Sequence, residues 1–133
     1  MSRDATERRW TPVELPSEGP RVGAYSRAVR AGPFVFVSGQ IPRDPATGRL
    51  IGDDVRGQTA QVLKNIRLVL GEAGLTLDDV ISVTVYLAEI GDWDAFNAEF
   101  RATFKPPFPS RTVVGAQLHD VLVEASAVAY RPA

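Results

Sequence analysis

Residues 79–104 read DVISVTVYLAEIGDWDAFNAEFRATF, and the spacing of the apolar groups changes period inside them. Up to Leu87 the residues alternate: Ile81, Val83, Val85 and Leu87 on one side, Ser82, Thr84 and Tyr86 on the other. Period two is a half-buried strand. From Asp92 the apolar groups Trp93, Phe96, Phe100 and Phe104 fall three or four apart, an aromatic stripe along a helix with Asp92 as its predicted N-cap. Prolines 106, 107 and 109 stop that helix. A strand that passes into a helix needs a sheet for the helix to cover, and the flanking sequence is read for the rest of that sheet.

Upstream, residues 54–73 form the clearest helix. Val55, Val62, Leu63, Ile66, Val69, Leu70 and Ala73 make one face, with Arg56, Gln61, Lys64, Arg67 and Glu72 on the other. Asp53 or Asp54 caps its start, and Gly74 ends it in the left-handed conformation. Before it, AYSRAVRAGPFVFVSGQI (24–41) holds two strand-like pieces, Tyr25–Arg30 and Phe34–Ser38, around the turn signal AGP. The loop PRDPATGRL leads to a further short strand at Leu50–Ile51. Downstream, Arg111–Gln117 and Val121–Tyr130 read as a closing hairpin. The first twenty residues are a polar, proline-bearing extension in which Trp10, Val13 and Leu15 are possible anchors.

The expected fold is therefore α+β, one domain over residues 1–133, with two helices on one face of a mixed sheet. Along the last strand Val121, Val123, Ala125, Ala127 and Ala129 face one way, and Leu122, Glu124, Ser126, Val128 and Tyr130 the other. Both sides carry apolar groups, so the side without helices is expected to be covered by another subunit.

The composition removes several classes of function. A net charge of −1 lacks the basic excess that sequence-independent nucleic-acid binding requires. With no cysteine there is no disulfide framework, thiolate nucleophile or thiolate zinc site. A single histidine, His119, without an HxH or HExxH pattern speaks against a catalytic transition metal. No phosphate-binding glycine loop or nucleophile elbow is present. The charged N-terminus has no apolar run behind it, so neither a signal peptide nor a membrane anchor is expected, and the expected location is the cytoplasm.

Arg111, in FPSRTVVGAQL (108–118), stands where a proline-punctuated turn enters an apolar strand. Desolvating an unpaired guanidinium is costly. The residue is either a surface arginine before a strand or an anion clamp.

The segments GAYSRAV, FVFVSGQIPRDPATGRLI, QTAQVLKNI, VTVYLAEIGDWDAFNAEF and PSRTVV resemble, in order, the signature segments of the YjgF-like, or reactive-intermediate deaminase (Rid), family. The resemblance runs from about Gly23 to Ala129. It implies a chorismate-mutase-like fold assembled as a homotrimer, with clefts at the subunit interfaces. It also implies hydrolysis of enamines and imines such as 2-aminoacrylate to a 2-oxo acid and ammonia, without metal or organic cofactor. By position, Tyr25, Ser38, Asn97 and Arg111 match cleft residues, with Arg111 gripping the carboxylate of a small anionic metabolite. Each has a plainer reading: Tyr25 as an interface aromatic, Ser38 as a hydroxyl bonded to backbone, Asn97 as a cross-link in the core.

The sequence departs from the family pattern near its end. Where the resemblance leads one to expect two glutamates spaced i, i+2, with the second activating the attacking water, this chain has VEASAVA. Glu124 takes the first position and Ser126 the second. A serine hydroxyl holds a water but is too weak a base to deprotonate it at neutral pH. Glu124, on the same strand face about 7 Å away, or His119 or Asp120 at the turn, is then the candidate base. The alternatives are an enzyme acting on a larger or cyclic carboxylic acid, and a non-catalytic carboxylate binder. Older ribonuclease labels attached to the family find no support in the charge or in any acid–base pair. Ala24 and Arg27 are two smaller departures from the family's usual residues.

Overall fold

The computed structural model describes residues 9–16, 18 and 23–132. Its longest helix, α1 (Val55–Glu72), starts where Asp54 accepts a hydrogen bond from the Gly57 N–H at 2.8 Å. It ends where Gly74, at φ +79°, lets the Leu75 N–H turn back to the Leu70 carbonyl. Val62, Leu63, Ile66, Val69 and Leu70 are all buried against the sheet.

The polar side of α1 differs from expectation. Gln61 is buried, because it donates to Asn65 at 2.9 Å, and Asn65 in turn holds the carbonyls of Ile41 and Arg43 at 3.0 and 2.8 Å. Gln58 receives the Leu122 N–H at 2.8 Å and donates to the Gly52 carbonyl. These amides fasten the loop after the first hairpin to the helix, and that loop makes no strand. Leu50 forms only an isolated bridge with Arg43.

The six-stranded sheet is built from β1 (Thr11–Val13), β2 (Ala28–Ala31), β3 (Phe34–Gln40), β4 (Val80–Leu87), β5 (Ser110–Gly115) and β6 (Val123–Tyr130), in the order β1-β2-β3-β6-β4-β5. The β2–β3 hairpin forms as expected, although β2 begins at Ala28 rather than Tyr25. The short strand β1 adds to its edge and buries Val13, with Leu15 buried just beyond, while Trp10 stays 41% exposed.

The expected closing hairpin is absent. β6 runs antiparallel to both β3 and β4, and β5 lies outside β4, parallel to it. The cause is the helix between β4 and β5. Once α2 (Trp93–Thr103) lies back along the sheet, the chain re-enters in the direction of β4. β6 then takes the centre, its Val123, Ala125, Ala127 and Ala129 almost fully buried under the helices.

In β4, Ile81 does not join Val83, Val85 and Leu87. A register shift between Val80 and Ser82 turns it outward, 45% exposed. Asp92 likewise makes no side-chain cap. A short 3₁₀ turn at Ile90–Asp92 runs straight into α2, so the Trp93 N–H already donates to the Ile90 carbonyl. The stripe packs largely as read: Phe96, Phe100 and Phe104 are buried, with successive ring centroids 5.7 and 4.5 Å apart.

Both helices cover one face of the mixed sheet. The other face is open. It exposes Phe34, Phe36 and Tyr130, with Phe34 packed 5.2 Å from Tyr130 and 6.1 Å from Phe36. Among the described residues no helix is long and apolar enough to cross a membrane.

Candidate functional site

Arg111 enters near the start of β5 directly opposite Val83, a core residue, so its side chain lies on the helix-bearing face at the sheet edge. There α2 receives it. Trp93, Phe96 and Phe100 present their rings 5.5, 5.4 and 4.7 Å from the guanidinium carbon. Asn97, one turn from Trp93, accepts from Arg111 Nη1 at 2.8 Å. The rings hold the cation by quadrupole attraction, and the amide fixes its orientation. Neither supplies a counter-charge. Among the described residues no carboxylate lies within ion-pair distance of Arg111; the described ion pairs are Arg27–Glu18 and Arg131–Asp79. Burial, and secondarily the charge of Arg101, hold the Arg111 pKa below its ordinary value. A cation so placed gains from an arriving anion.

A cavity of about 300 Å³ opens at this guanidinium, lined by Asn97, Phe100, Arg101, Phe108, Pro109 and Arg111. Sequence reasoning missed Arg101 and Phe108. The signal was present for the first: Trp93, Asn97, Phe100 and Arg101 recur at one helical face.

Glu124 and Ser126 lie elsewhere. They pair across β4 with Tyr86 and Thr84, out of phase with the core residues Ala125 and Ala127, and so occupy the open face. Glu124 folds over the end of β3, where a Cβ on Gly39 would stand 2.2 Å from its Oε2. Gly39 is thus a third residue the sequence reading missed, and the absence of its Cβ leaves room for a carboxylate. Ser38 beside it is committed to backbone: Oγ donates to the Ser26 carbonyl at 2.6 Å, and its N–H donates to Arg27. Tyr25 sits in the bend before β2, 46% exposed, with its ring against Gly23. His119 and Asp120 are exposed in the loop between β5 and β6.

The chain therefore brings together Arg111 and Asn97, and separately brings Glu124 and Ser126 close to the Ser38–Gly39 segment. β3 and β5 are three strand spacings apart, about 14 Å, and the two groups occupy opposite faces of the sheet.

Residues 17–131 match the family profile described as "Endoribonuclease L-PSP". The chain belongs to this family, the YjgF-like or Rid proteins. A RutC family protein of Pyrococcus horikoshii is 44% identical over 112 residues, 83% of this chain and 89% of that protein. The 2-iminobutanoate/2-iminopropanoate deaminase of Salmonella typhimurium is 37% identical over 115 residues, again 83% of this chain and 89% of that enzyme. Among solved structures, that of Escherichia coli TdcF with bound serine superposes with a TM-score of 0.83 at 31% identity, covering 91% of this chain and 98% of that one. The six-stranded sheet and two helices of this Rid chain are thus the family's fold.

Proposed function

We propose that the protein hydrolyses a small enamine or imine acid to a 2-oxo acid and ammonia, with Arg111 binding the substrate carboxylate. The observation that carries this reading is the Arg111 guanidinium at the mouth of a small cavity, caged by three rings, held by a neutral amide and without a carboxylate partner among the described residues. A bidentate carboxylate satisfies that charge and those donors together. The deaminase relative, at 37% identity, supports the reaction class.

Water adds to the imine carbon while the nitrogen takes a proton, and the resulting carbinolamine collapses to the C=O with loss of ammonia. An enamine first takes a proton at carbon. The step needs a group that removes a proton from water and returns one to nitrogen. Glu124 has the chemistry for it and Ser126 does not, so in this reading Ser126 holds the water and Glu124 moves the proton. Holding water and imine in contact contributes much of the rate.

Arg111 and Glu124 face opposite ways, so this mechanism requires two copies of the chain, the Arg111 edge of one set against the open face of the next. The exposed Phe34, Phe36 and Tyr130 supply apolar area for that contact. A closed homotrimer with three clefts is the proposed assembly.

The test is the decay of 2-iminopropanoate, generated in situ by an amino-acid oxidase, with wild type, Arg111→Ala and Ser126→Glu. Acceleration by wild type, lost in Arg111→Ala, is expected. An inert wild type overturns the reading, and gain of activity in Ser126→Glu would then identify a deaminase-type cleft turned to another ligand.

A further inference from the structure

The cavity at Arg111 is lined by a second guanidinium. Arg101 stands in the last turn of α2, and its guanidinium carbon lies 5.7 Å from the centre of the Phe108 ring, just as Arg111 lies over Phe100. Both rings and both arginines line the same space, with Pro109 and Asn97 completing the wall. No carboxylate pairs with either cation among the described residues. The two charges also come from different elements, one from α2 and one from β5.

A basic residue in the last turn of a helix is favoured by the helix dipole, and that alone accounts for an arginine at this position. It does not account for laying the guanidinium on an aromatic ring that walls the cavity of Arg111, a second arginine with no carboxylate partner among the described residues. Like charges facing one small space raise each other's energy, and solvent screens this only in part. A monocarboxylate bound at Arg111 relieves one of them. A ligand with a second acidic group relieves both.

We infer that this cleft selects a dicarboxylic substrate, a four- or five-carbon 2-imino diacid, with Arg111 taking the carboxylate beside the reacting carbon and Arg101 the distal one. The inference rests on the proposed deaminase function for the reaction but not for the binding preference. Arg101 is a specificity residue here and takes no part in the proton transfers. A cavity of about 300 Å³ suits a molecule of this size. The class of reaction that supplies such a substrate is the oxidation of an acidic amino acid at its α-carbon, which leaves the imine of a 2-oxo diacid.

Binding and turnover are measured separately. Calorimetric titration of wild type with succinate and with propanoate at low salt is expected to favour succinate by about tenfold, equal to about 1.4 kcal/mol. In Arg101→Gln the ratio falls to near one, and in Arg101→Lys it is partly retained. Because Arg101 is exposed, these variants are expected to fold, and thermal melts verify it. Equal affinity for the two acids in wild type, or a preference that survives Arg101→Gln, overturns the inference. So does tighter binding of inorganic phosphate than of succinate, or dissociation of the assembly in Arg101→Gln, which would make Arg101 an interface residue. The second measurement compares hydrolysis of 2-iminosuccinate and 2-iminopropanoate, each formed in situ by the matching oxidase. A higher kcat/KM on the diacid, lost in Arg101→Gln, is expected. If neither imine is hydrolysed while the succinate preference holds, the deaminase reading falls and the diacid site stands.

Discussion

Replacing Gly39 by alanine tests Glu124 as the proton-moving group. A Cβ at Gly39 would meet Glu124 Oε2 at 2.2 Å, its Cδ at 3.1 Å and its Cγ at 3.4 Å. To restore an ordinary contact the carboxylate oxygen must retreat by about 1 Å. The backbone does not resist the change, because Gly39 is absent from the positive-φ glycines. The atoms displaced are the far end of a flexible side chain on a half-buried residue, so the fold gives way easily. Glycine to alanine also removes about 0.4–1 kcal/mol of unfolded-state freedom. Net stability is expected to change by less than about 1 kcal/mol, within a few degrees of Tm. Catalysis is less forgiving, since a misplacement of about 1 Å costs about a hundredfold in rate. Decay of 2-iminopropanoate followed beside a thermal melt reads both quantities. Gly39→Ala should melt like wild type and lose about two orders of magnitude in kcat, with partial recovery in Gly39→Ala/Glu124→Asp, whose carboxylate is one methylene shorter. Full activity in Gly39→Ala would refute the placement of Glu124 in the chemistry.

Three further outcomes follow from the geometry. Asn97→Ala leaves the Arg111 fork unoriented and should raise KM for 2-iminopropanoate about tenfold, read from initial rates, since a hydrogen bond to a charged group contributes about 1.5 kcal/mol or more. Asn65→Ala strands the Ile41 and Arg43 carbonyls and the Gln61 amide, and urea denaturation should show a loss of about 3 kcal/mol. Phe36→Lys places a charge in the exposed aromatic patch, and light scattering after size exclusion should show the assembly reduced to single chains; an unchanged mass would count against the open face as the contact.

Period reading was sound wherever a segment had one buried face. The apolar face of α1, the phenylalanines of α2 and the last strand took up their expected faces because each presents a repeating apolar pattern to a single core, while Gln61 was drawn inward by its amide bond to Asn65 and Trp93 stayed at the surface. It failed where the backbone interrupts the repeat. The register shift that turns Ile81 outward and the 3₁₀ turn that makes an Asp92 cap unnecessary leave no mark in composition. Pairing order was also hidden. Two strands close in sequence read as a hairpin, and only the return of α2 along the sheet decides that β5 runs parallel to β4 while β6 passes to the centre. Of the site, Arg111 was conspicuous as a charge entering an apolar strand. Gly39 was invisible, because the reason for a missing Cβ is a side chain 85 residues further along the chain.

The separation of Arg111 and Glu124 onto opposite faces has a genetic consequence. In a ring assembled as proposed, every cleft borrows half its chemistry from the neighbouring chain, so a subunit's genotype and a cleft's phenotype are different things. Arg111→Ala and Glu124→Gln each abolish all clefts when expressed alone. Mixed at equal amounts and reassembled at random, about a quarter of the clefts receive a sound arginine from one parent and a sound glutamate from the other. Two inactive alleles would thereby complement each other within a single oligomer.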